Sequence, residues 1–162
     1  MKTNNSLMKY LMLDQCAIPV AINFVLNALI GWLVFSSVKA LPMWGDPSVG
    51  GDILATAFLL PFLVTLIASY FIKKQIKNNK TPQINFNADS WWFSLRPVKF
   101  GAILGLACMV FCATPMVWIL MLGKVDMVSV DSFILFKASW AAILSLFISP
   151  IVGMWALVKY SN

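Results

Sequence analysis

Residues 73–99, KKQIKNNKTPQINFNADSWWFSLRPVK, decide the fold. This is the one long polar run in the chain. Two long apolar blocks precede it and two follow. It holds Lys73, Lys74, Lys77, Lys80, Arg96 and Lys99 against a single acid, Asp89. Basic residues flanking apolar spans are kept on the cytoplasmic side of a bilayer. The run therefore reads as a cytoplasmic connector between two pairs of membrane-crossing helices.

Composition supports that reading. The 162 residues are 60% hydrophobic and 11% charged, with mean hydropathy +0.84. A soluble domain carries roughly 25% charged residues, so lipid must solvate much of this surface. The formal charge of +6 lies beside apolar spans and reads as a topology signal, so no nucleic-acid partner is expected. All six acids are aspartate, and the chain has neither glutamate nor histidine. The commonest general base and metal ligand are thus missing. No catalytic residue, metal or cofactor is expected, and the chain is not expected to be an enzyme.

The spacing predicts an all-α membrane protein with four transmembrane helices arranged as two antiparallel hairpins. The spans are expected at 16–38, 53–72, 100–122 and 132–158, each close to the ~20 residues that cross ~30 Å of hydrocarbon. The connector 73–99 includes a short interfacial helix around Trp91, Trp92 and Leu95, with Asp89 or Ser90 as its cap. Trp44, Trp91 and Trp92 are expected as interfacial anchors. Asp14, Asp52 and Asp131 are expected to cap the first, second and fourth spans. With the connector inside, nine basic residues lie on the cytoplasmic side and only Lys39 and Lys124 lie outside. Both termini are then expected to be cytoplasmic. The basic residues there would attract anionic lipid at about 1 kcal/mol each.

Two patterns of small residues suit close helix contact. Gly101 and Gly105 form a GxxxG on the third span, extended by Cys108 and Cys112. Ala138, Ala142, Ser145, Ser149, Gly153 and Ala156 form a stripe along the fourth. Cys108, Cys112 and Met116 have the spacing of a soft-metal face, but cysteine among glycines packs as a small hydrophobe. Pro61, Pro115 and Pro150 should kink their helices.

The residues that call for explanation are polar ones inside the spans. Lys137 is six residues beyond Asp131, about 9 Å into the helix at ~1.5 Å per residue. It would either snorkel, pair with Asp52, or serve an ion or solute. Asn23 and Asn27 share a face that Gly31 continues, and buried amides need partners on other helices. Asn27, Thr56 and Lys137 fall at similar depth and would converge in the outer half of the bundle. Two readings of function follow. One is a non-enzymatic protein working through helix–helix association, as a homo-oligomer or a subunit of a larger membrane assembly. The other is a small transporter or channel-like protein with a polar site at Lys137, Asn23 and Asn27.

The stretch Trp44-Gly45-Asp46, followed by Asp52-Ile53-Leu54-Ala55-Thr56-Ala57-Phe58-Leu59-Leu60-Pro61, resembles small bacterial four-span inner-membrane proteins. These pair a WG(D) outer loop with a DxxATxFLLP second span. The resemblance implies the architecture and carries no activity.

Overall fold

A computed structural model describes residues 8–81 and 90–161. Lys2, counted among the inner basic residues, and Asp89, expected as a helix cap, lie outside the described residues. Among the described residues four helices are long and apolar enough to cross a membrane: Met12–Phe35, Val49–Lys77, Pro97–Leu122 and Val130–Ser161. A four-residue helix, Trp91–Ser94, precedes the third. The second and fourth helices overrun their expected spans because hydropathy marks only the lipid-crossing part. Their hydrogen bonds continue through Lys73, Lys74 and Lys77 in one case and Lys159 in the other. At ~1.5 Å per residue, the 29 residues of the second helix reach about 44 Å.

The capping expectations need correction. Ser48 is the N-cap of the second helix, its Oγ accepting from the Gly51 N–H at 3.3 Å. Asp52 lies one turn inside, and its carboxylate turns to another helix. On the fourth helix, Ser129 Oγ accepts from the Ser132 N–H at 3.4 Å, and Asp131 is in the first turn. Asp14 falls within a wide helical segment, Tyr10–Ala17, and caps nothing. A hydroxyl reaches back to the first N–H groups from the last extended residue, a place these aspartates do not occupy. Ser90 holds the N-cap position of the short helix without a side-chain bond.

Two helices widen just ahead of a proline. The segment Tyr10–Ala17 is π-helical and runs into Pro19, and Met109–Ala113 is π-helical and runs into Pro115. Proline brings no N–H and crowds the carbonyl four residues back. A wide turn relieves that crowding by shifting bonds to five-residue spacing. Both the backbone N–H and the Oγ1 of Thr114 accordingly reach the Met109 carbonyl. In the middle of the second helix the Pro61 carbonyl instead accepts from Thr65 Oγ1 at 2.7 Å.

The two hairpins interleave. The first helix packs on the fourth, the fourth on the second, and the second on the third. The fourth helix is the centre: 61% of its apolar window is buried, against 11% for the first helix. The loops joining each pair meet at one end of the bundle. There β1, Ala40–Pro42, pairs antiparallel with β2, Met127–Ser129, with Leu41 opposite Val128. The ribbon continues through Met43 N–H to the Asp126 carbonyl at 2.9 Å. Leu41 and Met43 are buried beneath it and close that end of the core. This ribbon was not legible in the sequence, because three-residue strands rich in turn formers carry no alternating pattern.

Candidate functional site

Lys137 enters the junction of three helices. It is 5% exposed, and its side chain crosses Gly31 of the first helix, where an added Cβ would meet its Cδ at 3.3 Å. Glycine at position 31 is thus what lets the first helix close over the lysine. The ammonium donates to Asp52 Oδ1 at 2.5 Å, to Asp52 Oδ2 at 2.6 Å and to Thr56 Oγ1 at 3.2 Å. Asp52 and Thr56 are one turn apart on the second helix, so both face the lysine from one side. Thr56 Oγ1 also donates to Asp52 Oδ2 at 3.4 Å. All three ammonium protons have acceptors, which is how a buried cation is tolerated in an apolar setting. The lysine therefore pairs inward and does not snorkel.

Asn23 and Asn27 line the same cavity as Lys137, Asp52 and Thr56, a space of about 330 Å³ between the first two helices. Asn23 Nδ2 donates to Ser145 Oγ of the fourth helix at 3.0 Å and to its own Pro19 carbonyl at 2.9 Å. Asn27 Nδ2 donates to the Asn23 carbonyl at 2.9 Å. Their side-chain carbonyls accept no hydrogen bond from the described residues. Walls of Leu26, Ile30, Leu59 and Leu63 make the rest of it apolar. Asn27, Thr56 and Lys137 line this one cavity, with Asn27 bonded to its own helix and not to the other two.

The polar lining runs on toward the other end of the bundle. Ser145 Oγ lies 3.0 Å from Ser149 Oγ. One turn further, Gln15 packs on Gly153, its Oε1 at 2.7 Å from where a Cβ would sit. Gln15 Nε2 donates to the Tyr10 hydroxyl at 3.0 Å, which donates to Gln75 Oε1 at 2.9 Å. From Lys137 to Gly153 the series follows sixteen residues of one helix, about 24 Å of rise. A second cavity of about 400 Å³ adjoins it, sharing Asn23, Leu26, Val64 and Ile67 with the first. Gln15, Tyr10 and Gln75 were missed in the sequence. Each stands at the edge of an apolar block, where an isolated polar residue looks solvated.

The residues expected to pack helices do so within one chain. A Cβ at Gly105 would lie 2.7 Å from the Phe58 carbonyl oxygen, and one at Gly101 would lie 3.2 Å from the Phe62 carbonyl oxygen. Cys108 is buried and Cys112 half-buried along the same helix. Ala138, Ser145, Ser149, Gly153 and Ala156 are buried and Ala142 half-buried. Trp44 is half exposed and covers Gly50, while Trp91 and Trp92 are exposed and stacked at 4.7 Å.

Comparison with family models, with curated proteins and with solved structures finds no match. The resemblance of the WGD loop and second span stands only at the level of four membrane spans. Fold and site together define the class, a small four-span integral membrane protein with a charged pair buried among its helices.

Proposed function

We propose that the protein is a non-enzymatic carrier of a small zwitterionic solute, which binds where Lys137 meets Asp52. It works in a cytoplasmic membrane with both termini inside. One observation carries this reading: a cation and an anion are paired among the long apolar helices on a shared cavity with two asparagine amides. Ionisable groups at membrane depth are expensive and by default functional. Opening the pair leaves an ammonium on one wall and a carboxylate on the other. A zwitterion satisfies both, its carboxylate on Lys137 and its ammonium on Asp52. The amide carbonyls of Asn23 and Asn27 supply further acceptors for that ammonium. The cavity lies at the small end of the 300–1,000 Å³ range of ligand pockets.

The alternative, function through lateral helix association, was motivated by Gly101, Gly105 and the stripe on the fourth helix. These residues are covered inside one chain, so they no longer argue for a second copy.

Proteoliposome uptake of a panel of labelled amino acids and betaines tests the carrier. Wild-type protein should fill vesicles with at least one zwitterion faster than protein-free vesicles fill. Asn27→Leu, which leaves the ion pair intact, should lower that rate about tenfold, the loss of one hydrogen bond to a charged group. Uptake no faster than in empty vesicles across the panel ends this reading.

A further inference from the structure

The opposite end of the bundle holds a second site, unrelated to the ion pair. A cavity of about 560 Å³ lies between the start of the third helix and the end of the fourth. Its walls are apolar: Phe93, Phe100, Leu104, Ile151, Met154 and Trp155. The aromatic floor is fixed in place. Phe100 and Trp155 stack at 4.3 Å with their planes 7° apart, and Trp155 Nε1 donates to the Trp92 carbonyl at 2.9 Å. At the rim, Lys159 Nζ donates to the Phe93 carbonyl at 2.8 Å and lies 5.5 Å from the Trp155 ring centroid. One carbonyl uses one of its three protons. Among the described residues no carboxylate pairs with it, since the ion pair found there is Lys137 with Asp52. Arg96 and Lys99, both exposed, flank the same helix start.

We infer that this pocket binds one anionic phospholipid, with an acyl chain along Leu104 and Ile151 and the phosphate on Lys159. Charge complementarity selects the occupant. The slot is apolar along its depth, and Lys159 stands at its mouth with no carboxylate in contact among the described residues, while Arg96 and Lys99 are exposed at the adjoining helix start. An uncharged apolar partner would leave those cations unused. A neutral lipid would fill the slot without meeting the charge. Basic pockets at helix ends on the cytoplasmic side suit acidic head groups. The short helix Trp91–Ser94 acquires a purpose on this reading. Its carbonyls hold Trp155 in the floor and Lys159 at the rim.

Native mass spectrometry of the detergent-purified chain, titrated with phosphatidylglycerol or phosphatidylcholine, tests the site. Wild-type protein should retain one phosphatidylglycerol per chain at activation energies that strip phosphatidylcholine. Lys159→Gln keeps most of the side chain and should weaken phosphatidylglycerol retention about fivefold, the equivalent of about 1 kcal/mol per base, without changing phosphatidylcholine. Ile151→Trp fills the slot from its half-exposed side and should abolish retention of both lipids. Equal retention of the two lipids by wild-type protein overturns the proposal, as does phosphatidylglycerol binding that Lys159→Gln leaves unchanged. Retention only by a dimer, with none by the monomer, would assign the pocket to a second copy and overturn it equally.

Discussion

The fourth helix meets its neighbours through polar side chains, whereas the third meets the second through nearly bare backbone. Across the first pair of seams run Lys137 to Asp52 and Thr56, and Asn23 to Ser145. Across the second, no side-chain hydrogen bond passes among the described residues. Gly101 and Gly105 instead bring the third helix down on the Phe58 and Phe62 carbonyls. Lipid tails are as apolar as leucine, so neither seam gains from the hydrophobic effect that drives soluble cores together. The glycine seam is held by dispersion at short range. The polar seam is held by groups that have no acceptable alternative in hydrocarbon. A bundle that combines the two has one seam of close backbone approach and one of paired polar groups.

The largest effect should come from dividing the charged pair. Asp52→Ala leaves a lysine at 5% exposure without its anion. Removing one partner of a buried pair costs about 3–5 kcal/mol, read as a shift in reversible unfolding by sodium dodecyl sulfate followed by circular dichroism. The double variant Asp52→Leu with Lys137→Met should recover most of that loss, because an apolar pair of similar volume is often neutral or better. If the double variant is as unstable as the single one, the pair is a structural strut and the contrast between seams loses its functional meaning.

A smaller effect should come from the glycine seam. Gly105→Ala sets a methyl 2.7 Å from the Phe58 carbonyl oxygen. Backbone cannot rotate away, so the helices must part, at about 1–3 kcal/mol in the same unfolding assay. Gly153→Ala is the matched control in the polar seam. Its obstacles are Gln15 Oε1 at 2.7 Å and Gln15 Cγ at 2.9 Å, but these belong to a side chain, which can turn aside where backbone cannot. The cost there should stay below about 1 kcal/mol, partly offset by alanine's better helix propensity. Equal losses at the two positions would show that close approach, and not the kind of atom approached, governs both seams.

The four spans were readable because a run of twenty apolar residues has one physical explanation, and the basic connector divides them two and two along the chain. The Lys137–Asp52 partnership was readable too, since both residues fall at one depth on helices that share an end. Their interleaved order was not. It depends on which faces of four similar apolar cylinders fit together, and a stripe of small residues such as Ala138 to Ala156 names a close contact without naming the partner. Capping by Ser48 in place of Asp52 escaped for a related reason. An aspartate at the head of an apolar run satisfies the capping rule until a lysine from another helix claims it. Gln15 and Tyr10 lay beyond the legible part because the wide turn ahead of Pro19 continues the helix through residues that looked like a polar leader.

The finest test of the contrast is the Asn23–Ser145 contact. Ser145→Ala removes only the hydroxyl at a site with no exposed surface, so its packing hardly changes. Asn23→Ala removes the donor while leaving the Pro19 carbonyl to the helix. A double-mutant cycle over these two changes isolates the 3.0 Å bond between helices. Hydrogen bonds between membrane helices average about 0.6 kcal/mol, with a maximum near 1.7, and coupling in that range is expected. The value is small because an unfolded chain in lipid also finds partners for its amides. A polar seam built of such bonds holds its helices in register at little cost to their separation. That is what exchange of the Lys137–Asp52 pair with a solute requires. Coupling well above 1.7 would make this seam the rigid one, with the glycine seam left as the place where the bundle opens.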